Sequence, residues 1–362
     1  MSDILKKYVC LQPFRYIDVQ PIGQYVCCPS WCPVDIRQTD DLGKNWKSEK
    51  TYQIRESMLD GSYKFCNHKI CPSLSALKSN EQTVSSFFIT KEEFEKRFNI
   101  RSIEDLKNFN GLPEEILFGF DRSCNLKCPS CRSNMIPNDD IESSIHQEKL
   151  KTLDSIEKSF SSGVKQLMIT GSGDPFYSKI YRDYLVNFDK EMYPNLKNIH
   201  IITNGVLLNE KMWKSLNCKE FIKSIEISID AGCKETYENV TRLNGDWDKL
   251  ISNISFLSKQ KSIRIITFSM VISKNNYKEM LMLYDLIEKI FQESKSTVNF
   301  ALHFFQIVHW DWSKYTFQDV KELSVFEKKH PLFQDFLNEV HKIRFKKNVR
   351  HNFHHLFNEI EK

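Results

Sequence analysis

Between residues 113 and 312 the chain alternates strand-like and helix-like runs, which restricts the folds open to it more than any other feature. Apolar, β-branched runs occur at 115–120 (EILFGF), 164–170 (VKQLMIT), 199–203 (IHIIT), 222–229 (IKSIEISI), 263–272 (IRIITFSMVI) and 298–307 (VNFALHFFQI). Helical patterns separate them. Ser144 opens one, with Gln147 placed as in a capping box, and Leu150, Leu153, Ile156 and Phe160 share a face before Gly163. Others cover 247–257 and 277–291. Strand, crossover helix, strand is the mark of a parallel sheet and an α/β fold. In barrels of this kind the loops at the C-terminal strand ends carry the chemistry.

The loop after the first strand holds Cys124, Cys128 and Cys131 in the spacing C-x3-C-x2-C. Three thiolates can hold three irons of a [4Fe–4S] cluster but not the fourth, which is left open to another ligand. A structural zinc usually takes four protein ligands, often as two C-x2-C pairs, and no second pair comes after this one. After the second strand come Gly171, Ser172, Gly173 and Asp174: small residues admit a ligand to the backbone, and a carboxylate can receive an ammonium.

This cysteine loop resembles that of the radical S-adenosylmethionine (SAM) family, and the likeness runs from about residue 113 to about residue 312. It implies a partial (β/α)6 TIM-like barrel as the radical SAM core, with Cys124, Cys128 and Cys131 on the cluster and the amino and carboxylate groups of SAM on the open iron. The turn Gly171-Ser172-Gly173-Asp174 is similar to the family's Gly-Gly-Glu motif for the SAM amino group, with Asp174 in place of Glu and Ser172 parting the glycines. Thr203-Asn204 ends strand three as is common in the family. The stretch after Ser228 and Asp230 resembles relatives that carry a SPASM domain. By that likeness Ser228 would meet the ribose or carboxylate of SAM, and Arg242 its carboxylate. Before the last cluster cysteine the family often has an aromatic or apolar residue; Ser130 stands here.

Of the eleven cysteines in 362 residues, nine precede residue 132, in two groups, which suggests metal rather than a disulfide framework. The first group is Cys10, Cys27, Cys28, Cys32, Cys66 and Cys71. Residues 15–19 and 24–28 read as a hairpin around Pro21-Ile22-Gly23, and 43–58 as a helix. Cys10, Cys28, Cys66 and Cys71, with Cys27 and Cys32 as alternates, look like half of a SPASM domain, the "twitch" module, which implies an auxiliary Fe–S cluster. The competing assignment is structural zinc. In most relatives the module follows the core; here it precedes it. The expected divisions are thus a small cysteine-rich α+β module at 1–75, a helical connector at 76–112, the core at 113–312 and a helical segment at 313–362, where His351 to His355 (HNFHH) read as exposed.

With 51 Lys+Arg against 47 Asp+Glu, the charge excludes nothing outright but gives no reason to expect nucleic acid. No apolar run of membrane length is present, and the first residues lack a secretory layout, so a cytoplasmic location is expected. The resemblance implies reductive cleavage of SAM to a 5′-deoxyadenosyl radical, hydrogen abstraction from a substrate C–H bond, and a low-potential donor of flavodoxin or ferredoxin type. Peptide maturation is the expected use, with a small-molecule or sugar dehydrogenase or epimerase as the alternative and a non-catalytic Fe–S or zinc module as the rival of another class. Cys233, just past strand four, is a candidate hydrogen-atom donor; His303, His309, Trp310 and Trp312 are candidate pocket residues.

Overall fold

The computed structural model describes residues 3–78, 85–310 and 312–353. Two compact units emerge. Unit one comprises Met1–Asp121, Asp140–Met168 and Asp189–Lys197; unit two comprises Arg122–Asp139, Ile169–Phe188 and Asn198–Lys362. The strands form a mixed parallel and antiparallel core consistent with a partial (β/α) barrel.

Unit one carries β1 (Tyr8–Cys10), β2 (Tyr16–Gln20), β3 (Gly23–Tyr25), β4 (Phe88–Thr90), β5 (Glu115–Phe118) and β6 (Gln166–Ile169), the last as far as Met168. The predicted hairpin is present, with Asp18 opposite Tyr25. Its first strand also pairs in parallel with β5, Ile17 beside Ile116, so the unit's sheet runs β6-β5-β2-β3. Cys27 and Cys28 lie beyond β3 rather than inside it.

The single helix expected over 43–58 is two, Leu42–Trp46 and Glu49–Leu59. Ser48 breaks the run by accepting a hydrogen bond from the Thr51 N–H and capping the second helix. Around them lies an aromatic core in which Phe14 meets Phe94 at 4.7 Å and Phe109 at 5.7 Å. The Arg55 guanidinium lies 4.3 Å from the Trp46 ring and donates through Nε to the Pro13 carbonyl at 2.8 Å; burial lowers its pKa to about 9. The helix Ser144–Phe160 begins one residue earlier than expected in its cap: Ser143 accepts from the His146 N–H, and Gln147 donates to the Ile141 carbonyl instead of closing a capping box.

Unit two contains β7 (Asn198–Thr203), β8 (Ile222–Ser228), β9 (Ile265–Ile272), β10 (Asn299–Gln306) and β11 (Val349–His351), in that spatial order and all parallel. Helices such as Trp247–Leu257 and Met280–Glu293 supply crossovers. Alternation sends Ile201, Ile225, Ile227, Phe268 and Phe304 into a fully buried layer. The opposite face presents polar groups, among them His200, which hydrogen-bonds the Ser224 hydroxyl at 2.8 Å. The strand β11 was not expected. Residues 313–353 contain the helices Phe317–Leu323 and Phe333–Ile343 and then this strand beside β10. His351 ends β11, and His354 and His355 fall outside the described residues.

Candidate active site

The cysteine loop belongs wholly to unit two. Its ends are tied by the Cys124 N–H donating to the Ile136 carbonyl at 2.9 Å and the Ser123 hydroxyl to that of Pro137 at 3.2 Å. Between them lies a tight turn, in which the N–H groups of Cys131 and Arg132 both donate to the Cys128 carbonyl at 2.9 Å. Cys124 and Cys128 are buried around Leu126, whereas Cys131 is exposed.

Each thiol has a nitrogen donor beside it. Arg132 Nη2 is 3.3 Å from Cys131 Sγ, Arg242 Nη1 is 3.4 Å from Cys128 Sγ, and Asn204 Nδ2 is 3.9 Å from Cys124 Sγ. Arg132, which no sequence motif singles out, also donates to the carbonyls of Arg122 and Ser172 at 3.0 and 2.8 Å. It is only 5% exposed. Burial pushes the Cys124 thiol up to about 12, with Arg132 pulling the other way. Cys128 is raised by the same cause and drawn down by Arg242.

The strand ends bring the remaining expected residues to this loop. Thr170 has φ +44°, a rare conformation for a β-branched residue. Its hydroxyl accepts from the N–H groups of Ser172 and Gly173, both at 3.0 Å, which fixes the turn. A side chain at Gly171 would meet nothing within 4 Å, so the backbone there borders open space. Asp174 is fully buried and its oxygens are occupied. One accepts from the Thr203 hydroxyl at 2.6 Å and the Asn204 N–H at 2.9 Å, the other from the N–H groups of Phe176 and Tyr177. Four donors fill the lone pairs of a carboxylate. This carboxylate therefore braces two strand ends and leaves no lone pair for an ammonium.

At the end of β8, Ser228 shares a hydrogen bond with Ser269 at 3.3 Å. Asp230, at φ +54°, accepts the Val271 N–H and pairs with Arg242 Nη2 at 2.8 Å. Arg242 is delivered by a π-helical turn, Tyr237–Thr241, closed by its own N–H to the Tyr237 carbonyl. Such single turns accompany functional sites. Its Nε and the Tyr237 hydroxyl are buried without a hydrogen-bond partner. Cys233 stands apart from this group; its thiol donates to Thr236 at 3.5 Å.

Among the pocket candidates, His303 lies within β10, while His309, Trp310 and Trp312 come after it. The Arg122 guanidinium stacks 3.6 Å from the Trp312 ring, which joins this segment to the cysteine loop.

In unit one, the six cysteines form a second group. Cys10 feels Cys71 and Cys32; Cys27 feels Cys10, Cys32, Cys28 and Cys71; and Cys32 and Cys66 shift each other, Cys32 down and Cys66 up. Burial raises Cys10 to about 12. Among the described residues no three His, Cys, Asp or Glu side chains are grouped to hold a single metal ion, and no helix is long and apolar enough to cross a membrane.

No curated protein sequence matches the chain. Solved structures do: anSMEcpe with bound AdoMet and a peptide, at 18% identity and TM-score 0.40, covering 65% of this chain and 63% of the other. A second is TYW1 with a lysine-pyruvate adduct, at 16% identity and TM-score 0.37, covering 70% of this chain and 85% of the other. The chain thus spans just under two thirds of the anSMEcpe chain. The family model described as the Radical SAM superfamily matches residues 120–287, the stretch that holds the cysteine loop and the strand ends around it.

Proposed function

We propose that the chain is an enzyme that cleaves SAM reductively and takes a hydrogen atom from a C–H bond of a peptide substrate. Cys124, Cys128 and Cys131 would hold a [4Fe–4S] group; when bound, it supplies the electron that turns SAM into methionine and a 5′-deoxyadenosyl radical. A small flavodoxin- or ferredoxin-type protein would be the electron source.

One observation carries the reading. Two buried guanidiniums, Arg132 and Arg242, are aimed at the thiols of Cys131 and Cys128, and only Arg242 has a carboxylate. A buried cation needs a counter-charge. Thiolates on a cluster provide it for Arg132, and that donor set fits an anionic Fe–S group.

The chain's own residues then divide the work. Arg242, through its unpartnered Nε, is assigned the SAM carboxylate, held in place by Asp230. The SAM amino group is assigned to the backbone beside Gly171, Ser172 and Gly173. Asp174 acts there as a positioning residue, keeping that turn and Thr203-Asn204 in register. Ser228 is assigned the ribose. Cys10, Cys28, Cys66 and Cys71 would hold an auxiliary Fe–S group, with Cys27 and Cys32 as alternates.

Anaerobic reconstitution followed by a 5′-deoxyadenosine assay with dithionite tests the reading. Wild-type protein is expected to form 5′-deoxyadenosine and hold about eight irons per chain, and the Cys124→Ser, Cys128→Ser, Cys131→Ser variant to form none and hold about four. A wild-type chain that cleaves no SAM overturns it. If Cys233 is the hydrogen-atom donor, Cys233→Ala with peptide substrate present keeps SAM cleavage and loses product, and an unchanged product yield would remove that role.

A further inference from the structure

We infer that the cleft between the C-terminal ends of β9 and β10 and the segment 317–331 binds an acidic peptide segment and leads it to the cysteine loop. The inference rests on the reading of the substrate as a peptide. All of its walls belong to unit two.

Size is the first argument. The cleft measures about 1220 Å³, above the roughly 300–1,000 Å³ of most small-ligand pockets. Its position is the second. Lys274 lies just past β9 and His309 just past β10, so the cleft opens at the strand ends that also carry Thr203 and Ser228.

Charge decides the class of occupant. Four lysines and two glutamates line the cleft. Lys274, Lys321 and Lys329 form no ion pair with any described residue. Unpaired ammonium groups above an apolar floor suit a segment that alternates carboxylate and apolar side chains. Phe326 belongs to that floor, and Phe317, 75% exposed, stands at the rim with the His309 ring 5.9 Å away. The two glutamates make the cleft a poorer track for a continuous polyanion.

The route to the chemistry is the last step. Just past His309, Trp312 stacks on Arg122, the Ser133 hydroxyl donates to the Ser313 carbonyl at 3.3 Å, and the Lys314 N–H donates to the Pro129 carbonyl at 2.9 Å. The chain then returns to the cleft at Phe317. The cleft wall and the exposed side of the cysteine loop, where Cys131 lies, are therefore one continuous surface of unit two.

The test is fluorescence anisotropy of a labelled peptide of Glu, Asp and Phe with the full chain, beside a Lys/Phe peptide and a single-stranded RNA oligonucleotide. The acidic peptide is expected to bind best and to weaken as salt rises. Lys321→Glu with Lys329→Glu should weaken it roughly tenfold, and the Gln pair by less. Melting temperature and SAM cleavage without peptide should stay at wild-type levels. Equal binding of the two peptides, an unchanged affinity in the charge-reversed chain, or tighter binding of the RNA overturns the inference. Acidic-peptide binding that persists in a chain unable to cleave SAM would sink the parent reading and leave this one standing.

Discussion

Arg132 brings a full positive charge to a place that is 5% exposed and gives it two carbonyls and a thiol, but no carboxylate. Most buried arginines sit against an acid, because an unpaired charge in a poorly solvated site is costly. Replacing it by Met removes the cation and strands the carbonyls of Arg122 and Ser172, each lost hydrogen bond costing about 1–3 kcal/mol. Arg132→Met is therefore expected to lower the melting temperature and, under the proposed function, to cut iron loading of the cysteine loop. Arg132→Lys should recover part of both, since an ammonium keeps the charge but lacks the planar fork. Iron per chain and thermal melts check this, and full loading in the Met variant would remove Arg132 from the site. The cysteines beside it were legible from spacing alone. Arg132 was not, because an arginine next to a cysteine says nothing about its direction until the turn at Ser172 folds against it.

At the scale of elements, the strands β5–β10 could be read from the sequence because each is a run of β-branched and apolar residues with helical periodicity between. What went unread depends on single polar atoms. Ser48 splits one helix into two, and Ser143 takes the cap expected of Ser144. The strand β11 has only three residues, with an arginine at its centre, so no alternation announces it. The turn after β6 shows how a local motif can be placed correctly and still be assigned a different role. Gly171 borders open space, while the acid of the turn is spent on the scaffold. Thr170 holds that turn in a left-handed conformation costing about 1–3 kcal/mol, offset by two hydrogen bonds to its hydroxyl. Thr170→Val keeps the shape and deletes the acceptor, so a loss of about 1–3 kcal/mol is expected in urea denaturation. Thr170→Ser, which keeps the oxygen and removes the β-branch, should stay near wild type. Equal losses in the two variants would mean that the hydroxyl does not hold the turn.

For the molecule as a whole, the superfamily match ends at residue 287, before β10 begins. Unit two is completed by β10, two helices and β11, which pairs with β10 so that Leu302 lies beside Val349. Without β11 the β10 edge would carry unpaired backbone groups. A short strand with an arginine at its centre holds there only if something downstream anchors it, and the buried residue just past it is Phe353. Phe353 is fully buried, with its ring 5.2 Å from Phe336 and 6.2 Å from Phe326. One buried aromatic ring thus fixes the last strand and backs the floor of the cleft. Phe353→Ala should remove about 3–5 kcal/mol from the unfolding of unit two, the usual cost of emptying a buried phenylalanine site. It should also weaken acidic-peptide binding more than it affects SAM cleavage, because the cysteine loop is tied by Arg122, Ser133 and Pro129 rather than by this ring. Denaturant unfolding alongside anisotropy measures both. A loss below about 1 kcal/mol would show that the tail contributes little to unit two. A large loss of stability with peptide binding intact would separate the anchor from the cleft.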